Sequence, residues 1–153
     1  MQQLPFFTRL RVLFFALLFG QTIFAAIAYF IFGIEDAPIE KTSNDVLVYF
    51  AVFYSVTAMG AGYVLKPRLV KNAAGKRNLN EKLKAYTTAS LIHWAVLEGA
   101  NLLNIIVFII TDNRISLVFF LAILLVYIPT KPDLRKIAEE LNLSREEGKA
   151  IGI

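Results

Sequence analysis

Glu98, Asn101, Asn104, His93 and Gln21 are the residues whose chemistry is most at odds with their surroundings in this chain. Four of them fall in one run, Tyr86 to Ile110, reading YTTASLIHWAVLEGANLLNIIVFII, in which Glu98 is the sole Asp, Glu, Lys or Arg. A carboxylate at mid-membrane depth costs roughly 2.5 to 3.5 kcal/mol on insertion scales, so such a group is expected to face protein or a wet cavity and to mark a functional site. No Lys or Arg lies inside any apolar run to neutralise it. Desolvation without a counter-charge favours the neutral acid, which can donate a hydrogen bond or carry a proton.

The spacing gathers these groups on one face. At about 100° per residue on a helix, with Glu98 at zero, Thr87, Trp94, Asn101, Ser90, Asn104 and His93 fall within an arc of about 140°, and Thr88 alone of the polar residues lies outside it. A stripe of that kind belongs against other helices. Glu98 and Asn101, three residues apart, are expected to share a hydrogen-bond network, with partners from Gln21, Ser55, Thr57 or Tyr127. His93 lies about 7.5 Å further along the axis, as a packed, hydrogen-bonded residue or as a relay for Glu98. Three uses stay open for Glu98: interhelical glue, a site for a proton, cation or amine, and an interface to another membrane subunit.

Other chemistry is not expected. The chain has no cysteine and one histidine, which excludes thiolate sites and makes a dedicated metal site improbable. Neither a nucleophile with a base and oxyanion hole nor a phosphate loop is recognisable, so no enzymatic activity and no cofactor are expected.

The elements that carry the stripe follow from composition. Hydrophobic residues make up 57% of the 153, with 13 Phe and a mean hydropathy of +0.58, against about 45 to 50% apolar residues in soluble domains. Four apolar blocks, Val12 to Gly33, Val46 to Leu65, Tyr86 to Ile110 and Ile115 to Pro129, each have the character of a spanning helix. The fourth is short, about 22 Å, and is expected to extend into Thr111 and Thr130 or to thin the bilayer. Arg9, Arg11 and Ala26-Ile27-Ala28 look like the flank and cleavage site of a signal peptide. The block from Val12 to Gly33 runs for 22 residues without a charge, against roughly 7 to 15 for a signal core, so it is read as a retained helix.

All but Lys41 and Arg114 of the 16 Lys and Arg fall at the N-terminus, between residues 66 and 85, or after residue 130. The positive-inside rule then places both termini and the 66–85 connection in the cytoplasm of a bacterial inner membrane. The acidic stretch with Glu35, Asp36, Glu40 and Asp45 is an external connector. The sequence pI of 9.4 reflects this topology and anionic lipid heads, and no nucleic-acid partner is expected.

Self-similarity divides the blocks into two hairpins. FFALLFGQTIFAAIAYFI (Phe14 to Ile31) aligns without gaps on HWAVLEGANLLNIIVFII (His93 to Ile110), placing Phe19 opposite Glu98, and Lys66-Pro67-Arg68-Leu69-Val70-Lys71 repeats as Lys131-Pro132-Asp133-Leu134-Arg135-Lys136. Each K-P pair is expected to turn the chain out of a spanning helix, since proline ends one helix and can open the next. The pairs Ala16/Gly20, Ala58/Gly62 and Ala95/Gly99 are expected to pack the bundle or to form a homodimer. Leu134, Ile137, Ala138 and Leu141, followed by Ser144 and Glu147 at capping-box spacing, predict a short amphipathic helix on the headgroups or against the basic connection. Asn80 is expected to start a helix continuous with the third span.

The expected fold is therefore an all-α four-helix transmembrane bundle of two tandem hairpins over residues 1–130, with a cytoplasmic tail over 131–153. The WAVLEGANLL segment, the D-N-R turn and the T-K-P-D-L close resemble a group of small uncharacterised bacterial four-span membrane proteins with a W-A-L-L-E-G-like segment, which bring no activity to transfer. Met59-Gly60-Ala61-Gly62, the basic connection and Glu98 also look superficially like the rotary-ATPase proteolipid. The dense glycine run of that family is missing here, the connection is long, and both termini point inward. The expected function is a non-enzymatic membrane component, either an assembly or accessory subunit or a small proton-coupled carrier using Glu98. Expected partners are the lipid bilayer and a second copy or another membrane subunit.

Overall fold

The computed structural model describes residues 4–33 and 45–153, with side chains from Phe6 onward. The acidic connector expected at 34–45 lies outside the described residues except for Asp45. Six α-helices follow in order: α1 Leu4–Phe32, α2 Asp45–Ala74, α3 Leu79–Thr111, α4 Arg114–Tyr127, α5 Leu134–Glu140 and α6 Arg145–Ile151. A single 3-10 turn, Ile128–Thr130, prolongs α4. No strand occurs among the described residues.

Helices α1, α2 and α3 are long and apolar enough to cross a membrane, and Arg114–Thr130 with the segment it bends into at 81°, Leu134–Glu140, makes a fourth candidate. This is the pattern of a multi-pass membrane protein. Helix α3 is the hub, packing against α1, α2 and α4. Outward faces are apolar and exposed, as with Phe30, Phe53, Tyr63 and Leu125, which is the surface a helix presents to lipid.

Helices α2 and α3 overrun the bilayer. At ~1.5 Å per residue, the 30 residues of α2 reach ~45 Å, about 15 Å more than a hydrocarbon core. The basic 66–85 connection is thus mostly helix, broken only at 75–78. Asn78, rather than Asn80, caps α3, its side chain accepting from the Glu81 N–H at 2.9 Å. Leu79–Thr111 then runs without a break into the third apolar block, as expected.

Of the two placements expected for the tail, it takes the one against the basic connection rather than the headgroups, and it differs from the single helix expected. It forms two short helices joined through Asn142, which adopts a left-handed φ of 48°, a conformation asparagine tolerates. Ile137, Leu141 and Ile151 are buried in one cluster with Val70, Ala73, Leu83 and Tyr86. The overrunning hairpin offers an apolar wall, and burial against protein removes these side chains from water as fully as lipid would. The predicted capping box is present on α6, where Ser144 and Glu147 bond each other's backbone. Glu147 also accepts from Lys82 Nζ at 2.9 and 3.0 Å, tying the tail to α3.

The two K-P motifs behave differently. Pro67 lies inside α2, which continues to Ala74, so this pair does not turn the chain. The missing N–H costs one intrahelical bond, and the helices on both sides of it are held by packing at Ala58, Val70 and Ala73. Pro132 does sit at the bend between α4 and α5, and Lys131 Nζ lies 5.5 Å from the centre of the Phe15 ring.

Of the small-residue pairs, only Ala58 and Gly62 are both buried. Ala16 and Gly20 face outward, with nothing within 4 Å of a Cβ placed on Gly20. Ala95 is exposed and Gly99 half-buried. The bulky aromatics of α1, led by the buried Phe14, meet α3 instead.

Candidate functional site

The polar stripe of α3 joins it to three neighbours. Asn101 Nδ2 donates to Gln21 Oε1 of α1 at 2.6 Å. Asn104 Nδ2 donates to Ser55 Oγ of α2 at 2.7 Å, and Ser55 donates onward to the Ala51 carbonyl at 2.7 Å. Trp94 Nε1 donates at 3.0 Å to Thr130 Oγ1, beyond α4, and that hydroxyl donates to the Tyr127 carbonyl at 2.6 Å. Gln21, Asn101, Asn104 and Ser55 are each at most 1% exposed. In a medium without water such bonds are the only satisfaction available to these groups.

An aromatic cluster supports the same crossing. Phe14 of α1 meets Trp94 edge-on at 5.4 Å and stacks on Tyr127 of α4 at 5.1 Å. Trp94 is thus a packing residue with its one polar atom satisfied, as buried tryptophans require.

The candidate residues divide into four places. Asn101 and Gln21 form the α1 junction; Asn104, with Ser55, forms the α2 junction. Glu98 is half-buried at the edge of the stripe, where exposed Ala95 and Leu102 begin the outer face, and it makes no hydrogen bond with any described residue. The network expected between Glu98 and Asn101 is therefore not formed by direct bonds. Thr57 points outward and bonds back to the Phe53 carbonyl at 2.8 Å.

His93 lies on the far side of the stripe from Glu98. It is 7% exposed and fits against α2 because residue 62 is glycine: a Cβ there would stand 2.8 Å from His93 Cε1 and 2.9 Å from Nδ1. Nδ1 has no hydrogen-bond partner. Several other polar atoms in the bundle share that condition, namely Gln21 Nε2, Asn101 Oδ1, Asn104 Oδ1 and Tyr127 OH. Tyr127 lies within electrostatic reach of Glu98.

A cleft of about 370 Å³ opens between α2 and the end of α4, with His93 in its wall beside Lys66, Thr130, Lys136 and Glu140. Lys66, Lys136 and Glu140 were not among the site residues expected from sequence. Lys66 and Lys136 were visible as the first and last lysines of the two K-P motifs. Their convergence depends on the 81° bend that folds α5 back toward α2.

Among the described residues no group of three or more His, Cys, Asp or Glu is placed to hold a metal. Comparison with protein-family models, with curated proteins and with solved structures returns no match.

Proposed function

We propose that this chain is a non-enzymatic integral membrane protein of a bacterial cytoplasmic membrane, an assembly or accessory subunit that docks another membrane helix at the Glu98 edge of α3. One observation carries the reading: the amides of the stripe are bonded inside the bundle, whereas Glu98 is half-exposed and bonded to no described residue. An unsatisfied carboxyl at that depth is costly, and a partner helix offering a hydroxyl, amide or carbonyl would relieve it. Exposed Ala95 and half-buried Gly99 beside it would let a backbone approach closely. The resemblance to small four-span bacterial proteins and the one-sided distribution of Lys and Arg support this localisation, with both termini cytoplasmic.

A second reading, the small proton-coupled carrier, draws support from the partnerless Tyr127 OH, within electrostatic reach of Glu98, and from the partnerless Asn101 Oδ1 and Gln21 Nε2 at the α1 junction. Two substitutions separate the readings. Glu98→Gln keeps a neutral hydrogen-bonding group, so the docking reading expects the complex recovered in mild detergent to survive it and Glu98→Leu to abolish it. The carrier reading expects proton flux in proteoliposomes that Glu98→Gln abolishes. Light scattering on the purified complex distinguishes a second copy from a different subunit. If Glu98→Leu retains every partner at wild-type yield, the docking reading fails.

A further inference from the structure

The cleft beside His93 has a polarity gradient along its length. Toward the middle of the bundle it is walled by Gly62, Tyr63, Leu125 and Val126, and toward the basic end by Lys66, Pro67, Thr130, Lys136 and Glu140. Tyr63 is 72% and Leu125 71% exposed, so the apolar part opens sideways onto the surface that faces lipid. Lys66 and Lys136 come from separate elements, α2 and α5, and neither forms a salt bridge with a described residue. His93 adds a ring more than nine-tenths buried whose Nδ1 has no partner.

The charges favour one kind of occupant. Two lysines and Glu140 leave the mouth with one excess positive charge. A soluble anion would use the lysines but leave the apolar wall bare, while a zwitterionic lipid would leave the excess charge uncompensated. An anionic glycerophospholipid satisfies both parts. Basic pockets between spanning helices are the recurring form of such headgroup sites.

We propose that this cleft is a binding site for an anionic phospholipid, its phosphodiester held between Lys66 and Lys136 and an acyl chain lying against Tyr63, Leu125 and Val126. The Thr130 hydroxyl donates to the Tyr127 carbonyl and accepts from Trp94, so it shapes the wall rather than binding the head. Lys136 reaches the cleft only because α5 is anchored by Ile137 and Leu141. Occupancy of the cleft would therefore bridge the membrane helices to the tail. The site is independent of Glu98.

The test is a lipid titration of the full chain in detergent, read as bound equivalents by native mass spectrometry. Phosphatidylglycerol is expected to bind at one equivalent, at least ten-fold more tightly than phosphatidylcholine. Each lysine near a phosphate contributes about five-fold, so Lys66→Ala with Lys136→Ala should weaken phosphatidylglycerol roughly 30-fold. Lys149→Ala, at an exposed lysine outside the cleft, should leave it unchanged. Should the double variant not fold, the single substitutions Lys66→Gln and Lys136→Gln are each expected to weaken binding about five-fold. Equal affinity for the two lipids, or undiminished phosphatidylglycerol binding in the folded variants, overturns the proposal. So does displacement of the lipid by millimolar inorganic phosphate, which would mark a site for a soluble anion.

Discussion

Nothing in the bundle core can replace the 2.6 Å bond that the amide of Asn101 makes to Gln21. Water would satisfy both groups in an unfolded soluble chain, whereas in a bilayer the unpaired amide stays unsatisfied. Asn101→Leu leaves the Gln21 side chain buried alone and is expected to cost about 1 to 2 kcal/mol. In the cycle with Gln21→Leu the coupling should fall near 0.6 and not above about 1.7 kcal/mol, the mean and the maximum of measured membrane hydrogen bonds. Unfolding in mixed micelles measures both, and strictly additive losses would show that the bond contributes nothing. At this scale the sequence was informative about which residues matter and less so about their partners. The wheel collected Asn101, Asn104 and His93 on one arc, and Gln21 and Ser55 were among the candidate partners. It could not divide the arc among α1, α2 and the cleft, since that depends on which helix faces which side of α3.

Helices show where local signals were sufficient and where packing overruled them. The capping residues Asn78, Asn113, Asp133 and Ser144 each accept a backbone N–H two or three residues on; the Ser144 box was expected because both of its partners lie within one turn, whereas Asn80 was expected at the start of α3 in place of Asn78. Proline was misleading at position 67, where helix α2 continues through it. Pro67 is exposed, so Pro67→Ala removes little packing and restores a backbone donor. The substitution should raise the thermal unfolding midpoint, with a gain of up to about 3 kcal/mol; a lower midpoint would mean that the ring is needed for packing. The link between α3 and α6 predicts a pH effect of defined sign. The Ser144 backbone N–H, and then Lys82, hold the Glu147 carboxyl below its ordinary value of 4.5. A depressed carboxyl contributes its stability above the ordinary value and loses it as pH falls through the folded value. The protection of amides 145–151, taken relative to their intrinsic exchange rate at each pH, should therefore fall below about pH 4.5, by an amount matching less than about 1 kcal/mol because the pair is only partly shielded. Glu147→Gln should exchange faster at neutral pH and lose most of that dependence.

Across the whole molecule, α4 decides whether the chain crosses three times or four. Arg114–Thr130 covers about 25 Å at ~1.5 Å per residue, somewhat less than the ~30 Å core. Two features favour a full crossing. The Asp112–Asn113 turn is tight enough to return the chain directly alongside α3, with the Asp112 N–H donating to Phe108 at 2.8 Å. At the other end, the tail packs on the overrunning ends of α2 and α3, which requires α4 to deliver it to that same end. Apolar runs alone could indicate the helices but not this closure, because the contacts joining Ile137 and Leu141 to Val70 and Leu83 link segments distant in sequence. The absence of cysteine makes the arrangement directly measurable, since any introduced thiol is unique. In oriented vesicles, Lys76→Cys and Lys149→Cys should react with a membrane-impermeant maleimide from the same side, and Arg114→Cys from the opposite side. If Arg114→Cys and Lys149→Cys label from one side, α4 does not cross, and the tail could not pack against the α2–α3 hairpin within a single chain.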